Sequence, residues 1–308
     1  MSAQIDIHAD DFGESLHASL DILDCLREGC LDSISVLANM SCFADCVEHY
    51  RRAEGEFPQK PLISVHINLM EGSCLAGPGE LPDLTDEKGH FCISWEKLFF
   101  RSWLPGQRAL KEQLKKEILL QIRAVTEAFP ELGGKLRLDS HQHTHMIPVV
   151  ARALFEVLEE NGWTAVYIRD AREPLWPFLR EVSLYRTYRP VNFVKNILLN
   201  YCSVLLQGRL RRADIAPMYL WGLVMSGHMD EERVRKLLPA MERRALGAGR
   251  RLEILFHPGH VLPEEISEEF SQADAIAFHV SPDREVEKRA VQRLALAGGR
   301  KNEERSDG

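Results

Sequence analysis

Short apolar stretches with the two-residue period of a strand alternate along this chain with longer stretches of helical spacing. Ile5 and Ile7 alternate with Asp6 and His8, which predicts a strand, and the run ends in Ala9-Asp10-Asp11-Phe12-Gly13, where the glycine lets the backbone turn sharply. Leu16, Leu20, Leu23 and Leu26 then follow helical spacing, with Gly29 as the closing cap. The same reading predicts strands over 33–37, 62–68, 135–139, 165–168 and 252–256. It predicts helices over 43–53, 110–129, 147–161, 230–246 and 283–296. Strands separated by helices imply a parallel sheet or barrel, so the expected fold class is α/β.

Two stretches break the alternation. Residues 70–94 are rich in Gly, Pro, Asp and Cys without periodicity, and an unstructured loop of that length is usually functional, so it is expected to wall a pocket. Residues 172–229 read as an insertion in which Val194, Ile197, Leu198, Tyr201 and Leu205 follow helical spacing beside Lys195, Arg209, Arg211 and Arg212. Its apolar part is shorter than the ~20 residues a membrane span needs. Packing on the core, a homodimer contact, a lid and a membrane-surface element all remain open for it. One catalytic domain is expected over 1–297, and the polar, charged stretch 298–308 predicts a disordered tail.

With 308 residues and 45% hydrophobic content the chain can bury a large core. Its net charge of −8 argues against a nucleic-acid partner, which would require clustered cations across a face. The start lacks a basic segment followed by an apolar one, so a cytoplasmic location is expected. Seven cysteines without CxxC pairs fit reduced thiols; Cys42 and Cys46 resemble half a zinc site with no second half.

Chemistry concentrates where predicted strands end, at Asp10-Asp11, His66, His141 and His257. In parallel α/β folds these ends converge on one face. A single His there is usually structural, and Asp10 or Asp11 alone could simply cap the next helix. Four such ends favour a metal site, with Asp11, His66 and His141 as ligands: two imidazoles and one carboxylate leave positions open for water and substrate. His143 and His145 are expected in the substrate pocket rather than on the metal, and Asp139 could orient a ligand imidazole. Of the tryptophans near the irregular stretches, Trp95 or Trp176 is expected to offer the substrate a flat apolar platform.

The blocks Ala9-Asp10-Asp11-Phe12-Gly13, Val65-His66-Ile67-Asn68-Leu69, Leu138-Asp139-Ser140-His141 and Glu253-Ile254-Leu255-Phe256-His257-Pro258-Gly259 together resemble the YdjC-like carbohydrate deacetylase family. The motifs keep the family's order over nearly the whole chain. The resemblance implies a distorted, incomplete (β/α) barrel of mostly parallel strands that deacetylates N-acetylated sugars or glycolipids with one divalent metal ion. It places the metal ligands on Asp11, His66 and His141, the catalytic carboxylate on Asp10 and a second-side His on His257. The stretch 222–228 is more similar to the longer, hopanoid-associated branch than to the short chitooligosaccharide branch, and Ser64 stands where the family commonly has Gly. Mg2+ is the metal the resemblance implies, whereas two imidazoles favour Zn2+ or another transition metal on chemistry alone.

The mechanism expected from both readings gives Asp10 the proton of an attacking water and gives His257 the task of protonating the departing amine. Arg169, at its own strand end, would hold Asp10 ionised, or would instead pair with Asp170 or Glu173. A phosphoesterase or other amidohydrolase would require a multi-metal cluster. A non-catalytic sugar-binding protein of the same fold would have lost a ligand or the carboxylate pair, and neither is lost.

Overall fold

Alternation of polar and apolar residues along each strand sends two chemically different faces to two sides of one sheet. The computed structural model describes residues 3–298. Its strands are β1 (Ile5–Phe12), β2 (Ser33–Val36), β3 (Leu62–Ile67), β4 (Lys135–Ser140), β5 (Thr164–Ile168), β6 (Met218–Trp221) and β7 (Arg251–Phe256). They form a seven-stranded sheet in the order β5-β4-β3-β2-β1-β7-β6, every neighbouring pair parallel. The sheet curls into an incomplete barrel. At the open seam the chain leaving β5 reaches across, and the Arg172 carbonyl accepts the Leu220 N–H of β6 at 3.0 Å.

The convex face is apolar. Ile34 and Val36, Ile63 and Val65, Leu136 and Leu138, and Leu252 and Ile254 are buried against helices that connect the strands. Burying such side chains yields roughly 1.5–3 kcal/mol each relative to leaving them exposed. The concave face is polar: His8, Ser33, Ser35, Ser64, His66, Arg137, Asp139, Tyr167, Arg169 and Glu253 are all buried there. Register makes them neighbours, with His8 beside Ser33, Ser35 beside Ser64, His66 beside Asp139, and Arg137 beside Tyr167. Each finds a partner in the interior, as buried polar groups must. The His8 ring nitrogens lie 2.6 Å from Ser33 Oγ and 2.6 Å from Ser35 Oγ, and Ser35 in turn donates to Asp139 at 2.5 Å. Tyr167 donates to Glu253 across the opening.

The first helix, Leu16–Arg27, is capped by Ser15, whose hydroxyl accepts from the Ala18 N–H. Neither Asp10 nor Asp11 caps it, so both stay free for other work. The 172–229 stretch is not wholly an insertion, because it contains β6 and the long helix Pro190–Arg212. Met218–Trp221 escapes sequence reading because all four residues are buried and show no alternation. A short helix, Ala273–His279, also lacked a sequence signal. The tail expected over 298–308 lies outside the described residues save for Gly298, which ends the last helix. The seven cysteines form no disulfide, and among the described residues no helix is long and apolar enough to cross a membrane.

Candidate metal and catalytic site

Strand alternation alone would point Asp10 into the barrel with His8 and Asp11 away from it. A bulge in β1 between Ala9 and Phe12 prevents this, and Asp11 adopts φ +69°. That left-handed conformation costs a non-glycine residue of order 1–3 kcal/mol, and it turns the second carboxylate to the same mouth as the first. Gly13, at φ +97°, completes the turn where a Cβ would come within 2.5 Å of the Leu37 carbonyl. Gln142 and His143 are also left-handed, so three of the four non-glycine residues with positive φ among the described residues lie in this site.

Asp11, His66 and His141 meet as expected, with one donor atom from each lying within 4.8 Å of the others. His66 comes from inside β3, and its Nδ1 lies 2.6 Å from Asp139 Oδ1 on the adjacent strand. Its Nε2 is buried without a hydrogen-bond partner, 3.4 Å from Asp11 Oδ1. A carboxylate behind one ring nitrogen and an unshared nitrogen in front is the usual environment of a metal-ligating His. His141, just after β4, places Nδ1 3.0 Å from Asp11 Oδ1. The pocket attracts positive charge: burial pushes the His66 imidazole down, but Asp10 and Asp139 outweigh it and lift the group to about 9. The donor set therefore fits a divalent cation.

Beside this group, Asp10 is fixed by Arg169 at the end of β5, through two bonds of 2.7 and 2.8 Å. The expected alternative pairing of Arg169 with Asp170 or Glu173 does not occur; it also contacts Asp139 at 3.2 Å, Glu253 at 2.7 Å and the Tyr167 hydroxyl at 3.3 Å. Burial raises the Asp10 carboxyl, yet the Arg169 charge, His66 and the His8 hydrogen bond prevail and hold it well below the usual carboxylate range. Glu173 instead accepts from the N–H groups of Gly222, Leu223 and Val224, organising the loop after β6.

The other predicted residues divide. His143 is buried with an unpartnered Nδ1; burial and then the Arg169 charge hold it neutral. His145 is structural in its contacts, set between Ser140 Oγ at 2.6 Å and the Arg169 carbonyl at 2.8 Å. His257 follows Phe256, which pairs with Ala9, so it stands next to the Asp10 strand end. Its Nδ1 has no hydrogen-bond partner and lies 3.6 Å from Glu287. Trp95 donates its indole N–H to the Gln142 carbonyl at 3.1 Å, which ties it to the left-handed turn. Trp176 is exposed and stacks under Arg180 instead.

Sequence reasoning missed Glu14, Glu71, His279 and Arg284. Glu71 Oε2 lies 3.3 Å from His141 Nε2 and 2.8 Å from His279 Nε2, while Glu14 holds the other side of His279 at 2.7 Å. Arg284 reaches Asp11 at 2.8 Å and Glu14 at 2.6 Å. Glu14, Glu71, His141 and His279 also gather donors within 4.8 Å of one another, but Arg284 already supplies that group with a cation. Glu71 had one available signal: the Asn68 side chain at the end of β3 accepts the N–H groups of Met70 and Glu71, a turn that an Asn after a strand favours.

A family model described as YdjC-like protein matches residues 4–298. Over 281 residues the chain is 27% identical to a carbohydrate deacetylase of Xenopus laevis, with 84% of this chain and 82% of that protein covered. It is 30% identical over 155 residues to a carbohydrate deacetylase of Brevibacillus brevis, covering 50% of this chain and only 55% of that protein. A crystal structure of an Enterococcus faecalis V583 protein, described only as a candidate cellobiose-phosphate cleavage protein, superposes with a TM-score of 0.61. That match covers 97% of this chain and 95% of the other at 16% identity, and shows a shared fold.

Proposed function

The chain belongs to the YdjC-like family, and from that premise we propose that it hydrolyses the N-acetyl group of an amino-sugar-containing carbohydrate with a divalent metal ion held by Asp11, His66 and His141. The observation that carries this reading is the unpartnered Nε2 of His66, turned towards Asp11 while Asp139 fixes the ring from behind, next to a carboxylate clamped by Arg169. Held by Asp11, His66 and His141, a divalent ion would supply Lewis-acid polarisation of the acetamide carbonyl and acidify a water.

The chain's own residues do the rest. Asp10 takes the proton of the attacking water, and Arg169 keeps it ionised and aimed throughout the working pH range. His257 delivers a proton to the departing amine, and Glu287 fixes its place after the strand by accepting its backbone N–H at 2.7 Å. Trp95, fixed to the turn that carries His143, offers a flat apolar face to the sugar. His143 donates or accepts a hydrogen bond with a substrate hydroxyl through its unpartnered nitrogen.

Two imidazoles in the donor set favour Zn2+ or another transition ion over Mg2+, which prefers oxygen ligands. Among the described residues the Glu14-Glu71-His141-His279 group, which shares His141 with the proposed ligands, is an arrangement that a two-metal phosphoesterase would use, and Arg284 already bonds Glu14 within it at 2.6 Å. The test is release of acetate, with matching appearance of free amine, from N-acetylglucosamine oligosaccharides. Equal amounts of both products are expected. Hydrolysis of a phosphate ester with no acetate from any N-acetylated sugar would replace this reading.

A further inference from the structure

The helix Pro190–Arg212 carries apolar residues on both its inward and its outward side. Its inward side packs Leu199, Cys202, Leu206 and Leu210 into the core and satisfies its buried Asn192 and Asn196 there, Asn196 donating to the Glu173 carboxylate at 2.8 Å and Asn192 to the Val224 carbonyl at 3.0 Å, so the apolar residues on its other side are not needed for the fold. Its outward side carries Val191, Val194, Ile197, Tyr201, Val204 and Leu205, each between 44% and 65% exposed. At helical spacing these six form one continuous stripe, and a contiguous exposed apolar patch of this kind marks an interaction surface. In the preceding turns Trp176, Leu179, Val182 and Tyr185 are exposed too.

Charge identifies the partner. Residues 176–212 contain seven Lys and Arg but a single carboxylate, in a chain whose net charge is −8. Arg186, Arg189, Lys195, Arg211 and Arg212 are exposed and form no ion pair among the described residues. Lys195 stands within the stripe, and Arg212 continues it two helical turns beyond Leu205. A two-fold dimer through this face would press one cationic segment against its copy, since such an interface meets itself. An anionic bilayer surface complements both properties at once, with apolar side chains entering the headgroup boundary and basic ones meeting lipid phosphates. The helix is not long and apolar enough to cross, so it would lie in the interface plane.

We propose that the 176–212 face docks this protein on anionic membrane surfaces through the outward stripe of the Pro190–Arg212 helix. The same helix packs against the His141–Met146 turn, which ties the docking face to the element that carries His141. The docking proposal stands whether or not the deacetylase reading does.

The experiment is flotation of the full chain with vesicles of phosphatidylcholine alone or mixed with phosphatidylglycerol. Binding is expected to the mixed vesicles only and to weaken as salt is added. An R186Q/R189Q/K195Q variant is expected to bind about a hundredfold more weakly, roughly fivefold for each charge removed. A V194S/I197S/Y201S variant is expected to lose flotation while keeping the parent's circular dichroism, because all three side chains are exposed. Absence of flotation with either vesicle overturns the proposal. So does a dimer in sedimentation that V194S/I197S/Y201S dissociates while no vesicle is bound, which would assign the stripe to a second copy.

Discussion

Arg169 engages Asp10 with both arms of its guanidinium, Nη1 to Oδ2 at 2.7 Å and Nη2 to Oδ1 at 2.8 Å, inside a barrel where Arg169 is fully buried. The arginine also faces Asp139 and Glu253, so it is the shared counter-charge of three buried carboxylates. An R169M variant leaves all three without it. The expected result is a destabilisation of roughly 3–5 kcal/mol in urea unfolding, the usual consequence of removing one partner from a buried ion pair. A variant as stable as the parent would show that these carboxylates are protonated in the folded chain.

Asp10→Asn preserves the shape of the side chain and one of its two acceptor contacts with Arg169 but removes the proton acceptor. Turnover is expected to fall by about 10²–10⁴-fold. Metal content, read by elemental analysis of the purified variant, is expected to stay at the parent's level because Asp11, His66 and His141 are untouched. Parental turnover in D10N would assign the proton to another group.

Asp139→Asn acts one step further back. Its carboxylate receives His66 Nδ1 at 2.6 Å and so fixes which nitrogen faces Asp11. Titration of the apoprotein with metal is expected to show affinity weakened by about 10–100-fold, the usual effect of losing the acceptor behind a ligand imidazole. Unchanged affinity would mean that His66 is not a ligand.

The strand ends were legible because each closes a short apolar run, and the order of Asp10-Asp11, His66, His141 and His257 along the chain carried the site. The polar lining of the barrel was legible in principle: Asp6-Ile7-His8-Ala9-Asp10, Ser33-Ile34-Ser35-Val36 and Arg137-Leu138-Asp139 all alternate with period two. Two features could not be read locally. Glu71 and His279 lie 208 residues apart and meet at 2.8 Å only because of the long loop and a late short helix. The inward turn of Asp11 depends on a left-handed residue and a bulge that no spacing rule announces. The Pro190–Arg212 helix misled for a different reason: apolar residues follow helical spacing on two sides of it, Leu199, Cys202, Leu206 and Leu210 facing the core while Val194, Ile197, Tyr201 and Leu205 face out.

His145 sets an acid limit on stability. Burial pushes its imidazole from the ordinary 6.5 down to about 4. Between those values the unfolded chain binds the proton that the folded chain refuses, so this group's contribution is intact above about 6.5 and declines as pH falls towards 4. At pH 5 the loss is roughly 2 kcal/mol relative to pH 7. H145Q cannot titrate, so the stability gap between parent and variant, measured by urea unfolding, is expected to narrow over that range. A gap independent of pH would place the protonation elsewhere.

The most direct test of the metal-site account is titration of acetate release by chelator-treated protein with a divalent ion. Release is expected to be lost on chelation, to return in proportion to added metal until one ion is bound per chain, and to stay absent in an H66Q variant that binds none. Undiminished release by protein shown to hold no metal would contradict it, as would recovery that requires two ions per chain.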